Sequence, residues 1–325
     1  MSGTVLDVRD AAVHFRSRGG FLRKAGAPLK AVDGVSLAIA PGETLGLVGE
    51  SGCGKSTLAN AILGLVPLTG GTIDVAGRRV DSTDQDSLRA IRSDAQMVFQ
   101  DPALSLNPRL SIGAAVGEPL LVRGLATGSA LRDRVASLLK AVGLEPDHAT
   151  RFPHAFSGGQ RQRIVIARAL ALQPKLVVCD EPVSALDVSV RAQILNLLVD
   201  LQRERGVSYL FVSHDLSVVR HIADHVAVMY LGRIVETAPM PILFGKPRHP
   251  YTQALLTAAP EPDPVRQRAK QRRVLDGELP SPANMPPGCA FSTRCPLASA
   301  VCHSERPELV ARSDGSSVAC HHAEE

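Results

Sequence analysis

The chain has 325 residues, 45% hydrophobic and 21% charged, with a formal net charge of +4. That length and balance suit one large globular domain, or a large domain with a small appendage. The slight charge does not supply the concentrated basic footprint of a nucleic-acid binder, and no apolar run reaches the roughly eighteen residues that would cross a bilayer.

The opening "MSGTVLDVRDAAVHF" carries charges where an apolar leader would sit, so no secretory signal is expected. The expected compartment is the cytosol, where thiols stay reduced. "TVLDVRDAAVHF" alternates like a half-buried strand, and the Gly-rich, basic "SRGGFLRKAGAPLK" reads as a loop. "AVDGVSLAIAPGETLGLVGESG" predicts two strands joined by "APGE", the second running straight into glycines. From Asp101 to Pro153 the pattern turns helical, as in "SALRDRVASLLKAVGL". "PKLVVCDEP" then predicts a buried strand, "SVRAQILNLLVDLQRERG" an amphipathic helix ending at Gly206, and "SYLFVSHD" another buried strand. A strand, a helix and a strand in succession imply parallel pairing and an α/β sheet. "PEPDPVRQRAKQRR" reads as a linker, its basic run Arg266 to Arg273 being a solvated stretch rather than a binding patch. The segment beyond holds four of the six cysteines and little periodicity. It is too small to build much core alone and needs a staple or a surface to lean on.

"GESGCGKST" fits G-x-x-x-x-G-K-[ST], with Gly49, Gly54, Lys55 and Ser56 at the fixed positions, a strand before and a helix after. The glycines let backbone N–H groups curl around a phosphate chain, and the helix start adds a dipole that favours anions. Glu50, Ser51, Gly52, Cys53 and Thr57 complete the candidate ATP-contacting stretch. Lys55 can reach the outer phosphates, and the Ser56 hydroxyl can ligate Mg²⁺. Asp180, carried to the end of a buried strand, is the acidic partner that would hold the metal directly or through water. Glu181 beside it is placed to polarise an attacking water as general base.

"FSGGQRQRIVIARAL" brings Ser157, Gly158, Gly159 and Gln160 into a stretch that matches the signature of ATP-binding cassette (ABC) proteins. The chain resembles that family over roughly residues 1 to 255. The resemblance implies that this Ser-Gly-Gly backbone touches a γ-phosphate held by an opposite subunit, so that two cassettes sandwich two ATP molecules. Phe156 stands where leucine is commoner, as in peptide-importer cassettes. Gln100 in "MVFQDP" matches the loop that senses Mg²⁺ and the attacking water and couples to membrane subunits. Asp187 in "SALD" matches the loop crossing the dimer interface, and His214 in "FVSHD" the switch histidine. Phe15 is the best match for an adenine-stacking aromatic, with Phe21 a poorer one and plain core packing of Phe15 still open. The implied fold is an α/β ABC nucleotide-binding domain over residues 1–258, followed by an extension over 259–325. Within it the family has a RecA-like parallel sheet core, an antiparallel β subdomain and a helical subdomain at about 101–165.

"QDPALSLNPRLSIGAAVGEPL", "DEPVSALDVSVRAQILNLL" and "GRIVETAP" with "HPYTQALL" look like ATPase subunits of the oligopeptide/dipeptide importer family, which also serves some nickel and glutathione systems. "EPVSALD" and "SLNPR" are similar to its second, F-type cassette. The resemblance implies ATP hydrolysis that powers peptide import from the cytoplasmic face of the membrane. The implied partners are a non-identical D-type cassette, with a homodimer still open, two transmembrane permease subunits and an extracytoplasmic substrate-binding protein. A soluble cassette ATPase of DNA repair or translation would carry two cassettes or a coiled-coil insertion, and no heptad run is present. A non-hydrolysing module would lack Glu181 or His214.

Cys289-x5-Cys295-x6-Cys302-x17-Cys320 looks like the C-terminal extension of the same importers, in some of which four cysteines hold a [4Fe–4S] cluster. Thiolates suit iron–sulfur chemistry. Zinc is the alternative, although its cysteines usually stand closer together, and reduced free thiols are a third reading. His303, His321 and His322 could exchange for a ligand. Cys53 and Cys179 belong to the phosphate loop and a buried strand. On this reading Cys295→Ser unfolds the tail and weakens assembly, while ATP binding by the subunit survives.

Overall fold

The computed structural model describes residues 3–15, 28–258, 280, 281, 283 and 285–323. Phe21 and the basic run Arg266 to Arg273 lie outside the described residues. The chain divides into two compact units.

The first unit is built mainly from Asp74–Phe211, with Ile39–Glu43 and the N-terminal residues up to Leu6. Its strands Ala95–Val98 and Leu176–Asp180 pair in parallel, Ala95 opposite Leu176 and Val98 opposite Cys179. Leu176, Val177, Val178 and Cys179 are all buried, as a parallel strand covered on both faces requires. Ser208 opens the next strand by donating its N–H to the Lys175 carbonyl at 2.9 Å. Helices Ile112–Val122, Gly128–Ala141 and Gly158–Ala169 pack against one another, so the helical periodicity after Asp101 is borne out. The helix Val188–Arg205 stops where Gly206 takes φ 66°, a left-handed conformation that glycine adopts without penalty.

The second unit comprises Asp7–Ala38, Thr44–Ile73 and the chain from Val212 onward. Strand Leu6–Phe15 lies between Leu29–Ile39 and Gly70–Val75. Separately, the fully buried strand Thr44–Val48 runs parallel to His225–Tyr230, with Leu45 opposite His225 and Val48 opposite Val228. A tight turn at Leu231 and Gly232 (φ 43° and 79°) reverses the chain into Arg233–Pro239, which pairs antiparallel with His225–Tyr230. Two short C-terminal strands extend this edge: Ser317–Val318 pairs with Arg233–Pro239, and Val310–Ala311 with Ser317–Val318. The cysteine-bearing segment thus leans on a surface. Phe291, 1% exposed, packs with Tyr230, Tyr251 and His249 at centroid distances of 5.3, 5.5 and 5.6 Å.

Two buried ionisable groups hold the base of this packing. Glu236, 1% exposed, accepts the N–H groups of Arg248 at 2.8 Å and His249 at 2.9 Å. Burial raises its carboxyl despite those donors. The His249 Nδ1 accepts the Tyr251 N–H at 3.0 Å, which fixes a neutral ring with its proton on Nε2. Burial lowers this histidine from 6.5 to about 3. The unfolded chain therefore binds a proton that the folded chain refuses between those values. The stability held above pH 6.5 is lost as pH falls from 6.5 toward 3. An Asn at 249 keeps a side-chain acceptor and cannot titrate. In thermal melts from pH 7 to pH 4, His249→Asn is expected to show a flatter loss of stability than the parent, by up to about 1.4 kcal/mol per pH unit. Equal slopes would show that this histidine does not carry the acid sensitivity.

Candidate functional site

In the second unit the buried strand Thr44–Val48 delivers the chain into the glycine loop, and helix Lys55–Ile62 leaves it. The glycines are required by crowding. A Cβ on Gly49 would collide with the Met229 carbonyl oxygen, and one on Gly54 with the Ala31 carbonyl oxygen. Gly54 also stands at φ 109°, closed to ordinary side chains. The loop bends back on itself, so that Lys55, 5% exposed, donates from Nζ to the carbonyls of Gly49 at 2.8 Å and Glu50 at 2.9 Å. Ser51, Gly52 and Ser56 face solvent, with Thr57 half-buried. Cys53 is buried, and burial pushes its thiol up although the Lys55 ammonium opposes the shift. Its carbonyl accepts the Gly232 N–H at 2.8 Å, which ties the loop to the turn after His225–Tyr230.

Two further residues of this unit carry predicted roles. Phe15 ends its strand 44% exposed, so it is not core and presents a ring to solvent. His214 follows the strand Ser208–Ser213 and is exposed, just ahead of a helix capped by Asp215, which accepts the Ser217 N–H at 2.9 Å.

The first unit holds the acidic and signature groups. Asp180 closes its strand half-buried, and Glu181 takes φ 47°. A left-handed non-glycine residue costs about 1–3 kcal/mol and persists where its surroundings enforce it. Here the Ser184 N–H and hydroxyl both donate to the Glu181 carbonyl, at 3.3 and 3.0 Å. The Gln100 side-chain amide donates to Glu181 Oε2 at 3.0 Å, so two residues 81 positions apart meet. Ser157 and Gln160 form a reciprocal cap: the Gln160 N–H donates to Ser157 Oγ at 3.3 Å and the Ser157 N–H to Gln160 Oε1 at 3.1 Å. Gly158 is exposed, leaving backbone available at the helix start. Gly159 is buried against Val190, into which a Cβ would drive, so the signature helix rests on the first turn of helix Val188–Arg205, whose N-cap is the exposed Asp187. Phe156 is buried edge-on against His148, with ring centroids 5.2 Å apart. Ser56 and Asp180 offer oxygen donors, the kind a hard divalent cation takes.

The four C-terminal thiols are within electrostatic reach of one another. Burial raises Cys289 to about 11, opposed by the Phe291 N–H and reinforced by Cys302, Cys320 and Cys295. Burial likewise raises Cys295 and Cys320. The Cys289 N–H donates to the Cys302 carbonyl at 2.8 Å, drawing the Cys289 segment against the short helix Ala300–Ser304. The His322 and His321 rings are engaged elsewhere, with Ser299 Oγ at 2.8 Å and the Glu305 carbonyl at 3.0 Å. Among the described residues no group of three or more Cys, His, Asp or Glu has metal-holding geometry. The donors fit a cluster in kind, but the sulfurs are not gathered into one coordination sphere.

The sequence reading missed Tyr251 and Arg294. The Glu50 N–H donates to the Tyr251 hydroxyl at 2.9 Å, and Arg294 pairs with the Glu50 carboxylate. Separations of 201 and 244 residues leave no local signal for either contact.

Residues 32–184 match the ABC transporter family, and residues 235–302 match the oligopeptide/dipeptide transporter C-terminal region. The chain is 52% identical over 308 residues to the oligopeptide transport ATP-binding protein OppF of Escherichia coli K12, covering 94% of this chain and 92% of that one. The chain belongs to the ABC transporter family. It is also 50% identical over 325 residues to the di/tripeptide transport ATP-binding protein DppF of Pseudomonas aeruginosa, covering 99% and 98%. Among solved structures, the dimeric bacterial ABC transporter cassette MJ0796 is similar at TM-score 0.63 and 32% identity, over 72% of this chain and 98% of that one. CbiO1 of Clostridium perfringens, part of the ABC transporter complex cbiONQ, is similar at TM-score 0.65 and 28% identity, over 75% and 91%. This ABC ATPase binds ATP with Mg²⁺ and hydrolyses it. Among its described residues no helix is long and apolar enough to cross a membrane.

The crowding at Gly54 makes a direct test. Gly54→Ala is expected to weaken ATP binding about tenfold or more, the equivalent of about 1.4 kcal/mol, in a calorimetric titration. Parental affinity in that variant would mean that the Ala31 carbonyl does not shape the loop.

Proposed function

We propose that this ABC ATPase is the F-type energising subunit of a peptide importer, working at the cytoplasmic face of the membrane. The observation that carries the hydrolytic part is the 3.0 Å contact between the Gln100 amide and the Glu181 carboxylate. The peptide part is supported by relatives named for oligopeptide and di/tripeptide transport that align over nearly the whole chain. Its partners are a second, non-identical cassette of the D type, two transmembrane permease subunits and, indirectly, an extracytoplasmic substrate-binding protein.

Each residue's role follows from its chemistry. Phe15 stacks on adenine, needing only an exposed π face. The stretch Gly49 to Thr57 wraps the phosphates with backbone N–H groups, and Lys55 moves its ammonium from loop carbonyls to the outer phosphates. Ser56, Asp180 and Gln100 are the residues that would hold Mg²⁺, which would neutralise charge on the phosphates when bound. Glu181 accepts a proton from the water whose oxygen attacks the γ-phosphorus, as the bond to the bridging oxygen breaks and ADP leaves. His214 contacts the γ-phosphate and supports that water. Ser157, Gly158, Gly159 and Gln160 with Asp187 reach the ATP held by the opposite cassette, so nucleotide closes the dimer and moves the permease subunits.

Glu181→Gln keeps the side chain's shape but cannot take the proton. In the reconstituted transporter it is expected to lower turnover by about 10²- to 10⁴-fold while ATP remains bound. Parental turnover would remove Glu181 from the role of base.

Cys289, Cys295, Cys302 and Cys320 are proposed to hold a [4Fe–4S] cluster, with zinc as the alternative occupant. Four thiolates supply an equal donor set, and the metal would staple a segment with little core of its own. Anaerobic purification of the full chain is expected to give broad visible absorption and about four irons per chain. One zinc per chain would replace the cluster with a structural zinc site, and absence of both metals would overturn the staple.

A further inference from the structure

The C-terminal segment reaches the phosphate loop through one side chain. Arg294 Nη1 donates to both carboxylate oxygens of Glu50, at 3.0 and 3.2 Å. The two side chains are 10% and 27% exposed, so water screens the pair poorly. Arg294 is itself held in place. Its N–H donates to the Phe291 carbonyl at 3.0 Å, and the Ser292 N–H to the Cys289 carbonyl at 3.0 Å, making a turn anchored by the Phe291 ring. That ring is seated among Tyr230, Tyr251 and His249. Tyr251 takes the Glu50 N–H, so the backbone and the carboxylate of one loop residue are both gripped from the chain's C-terminal part. Glu50 in turn offers its carbonyl to Lys55 Nζ at 2.9 Å.

Glu50 places a full negative charge within the loop that must receive a polyphosphate. Left unpaired, that carboxylate would repel the ligand and be free to drag the loop out of shape. We propose that Arg294 is a positioning residue for nucleotide binding: it neutralises and fixes Glu50, which keeps the phosphate loop receptive to ATP. The residue does not touch the reacting atoms; it acts through Glu50. The inference rests on the loop being the ATP site, which titration of the unaltered chain with ATP tests separately. It leads to a different outcome from the sequence expectation that ATP binding survives Cys295→Ser: Cys295 follows Arg294 directly, so a tail unfolded by that change is expected to withdraw the guanidinium from Glu50 and to lower ATP affinity in the same titration.

The test is a double-mutant cycle on the full chain, read by calorimetric ATP titration, with thermal melts confirming that each variant is folded. Arg294→Gln is expected to weaken ATP binding about tenfold, the scale of a lost charge-assisted hydrogen bond. Made in a Glu50→Gln background, the same change is expected to cost less than about twofold, because no stranded carboxylate remains. Arg294→Lys keeps the charge and is expected to recover most of the affinity. Equal losses in both Glu50 backgrounds would overturn the proposal, since a purely structural role for Arg294 does not depend on the Glu50 charge. Unchanged affinity in Arg294→Gln, or a Lys variant as weak as the Gln variant, would overturn it too.

Discussion

Two main-chain carbonyls, those of Met229 and Ala31, press so closely on Gly49 and Gly54 that no side chain fits at either position. That crowding shapes the phosphate loop, and much of the second unit is arranged to supply it. Met229 comes from a strand paired in parallel with the one that delivers the loop. The following turn fastens to Cys53 through the Gly232 N–H. Asp33, two residues beyond Ala31, takes the Arg233 guanidinium and donates its own N–H to the Gly232 carbonyl at 2.8 Å. The anion-binding face is therefore prepared by backbone geometry, with Lys55 already turned inward.

The first unit solves a different problem, that of holding a carboxylate at the end of a buried strand without burying its charge. Cys179 is fully buried, whereas Asp180 and Glu181 are half-buried. The left-handed backbone at Glu181 aims the side chain toward Gln100, and Ser184 holds that strained turn with two hydrogen bonds. The signature segment uses less strain. A capping box starts its helix, and a glycine at 159 lets the helix settle against Val190.

The C-terminal part of the chain is integral to the second unit. It contributes two short strands and a buried phenylalanine, and it presents Arg294 to the phosphate loop. Arg248 pairs with Asp314 at 2.6 Å through its guanidinium, and its backbone N–H, with that of His249, goes to Glu236, whose buried carboxylate gathers the chain before helix Pro250–Ala258. Such charged groups tolerate burial only because backbone N–H groups and paired guanidinium atoms replace water.

By itself the sequence determined what local chemistry can write. Glycine spacing, a strand ending in Asp180-Glu181, the capping residues Ser157 and Gln160 and the helix stop at Gly206 are all short-range, because turns, caps and strand ends are set within a few residues. The ABC family and its phosphate loop were legible for that reason. The four clustered cysteines were equally visible, yet their spacing could not say how near the sulfurs come, and the structure brings them within electrostatic reach without ligand geometry. Phe15 as an exposed ring, Tyr251 on the Glu50 backbone and Arg294 on its carboxylate were decided only by tertiary structure. Each depends on which surfaces are covered by distant parts of the chain, and burial and ion pairing across 201 or 244 residues leave no pattern in any window of sequence.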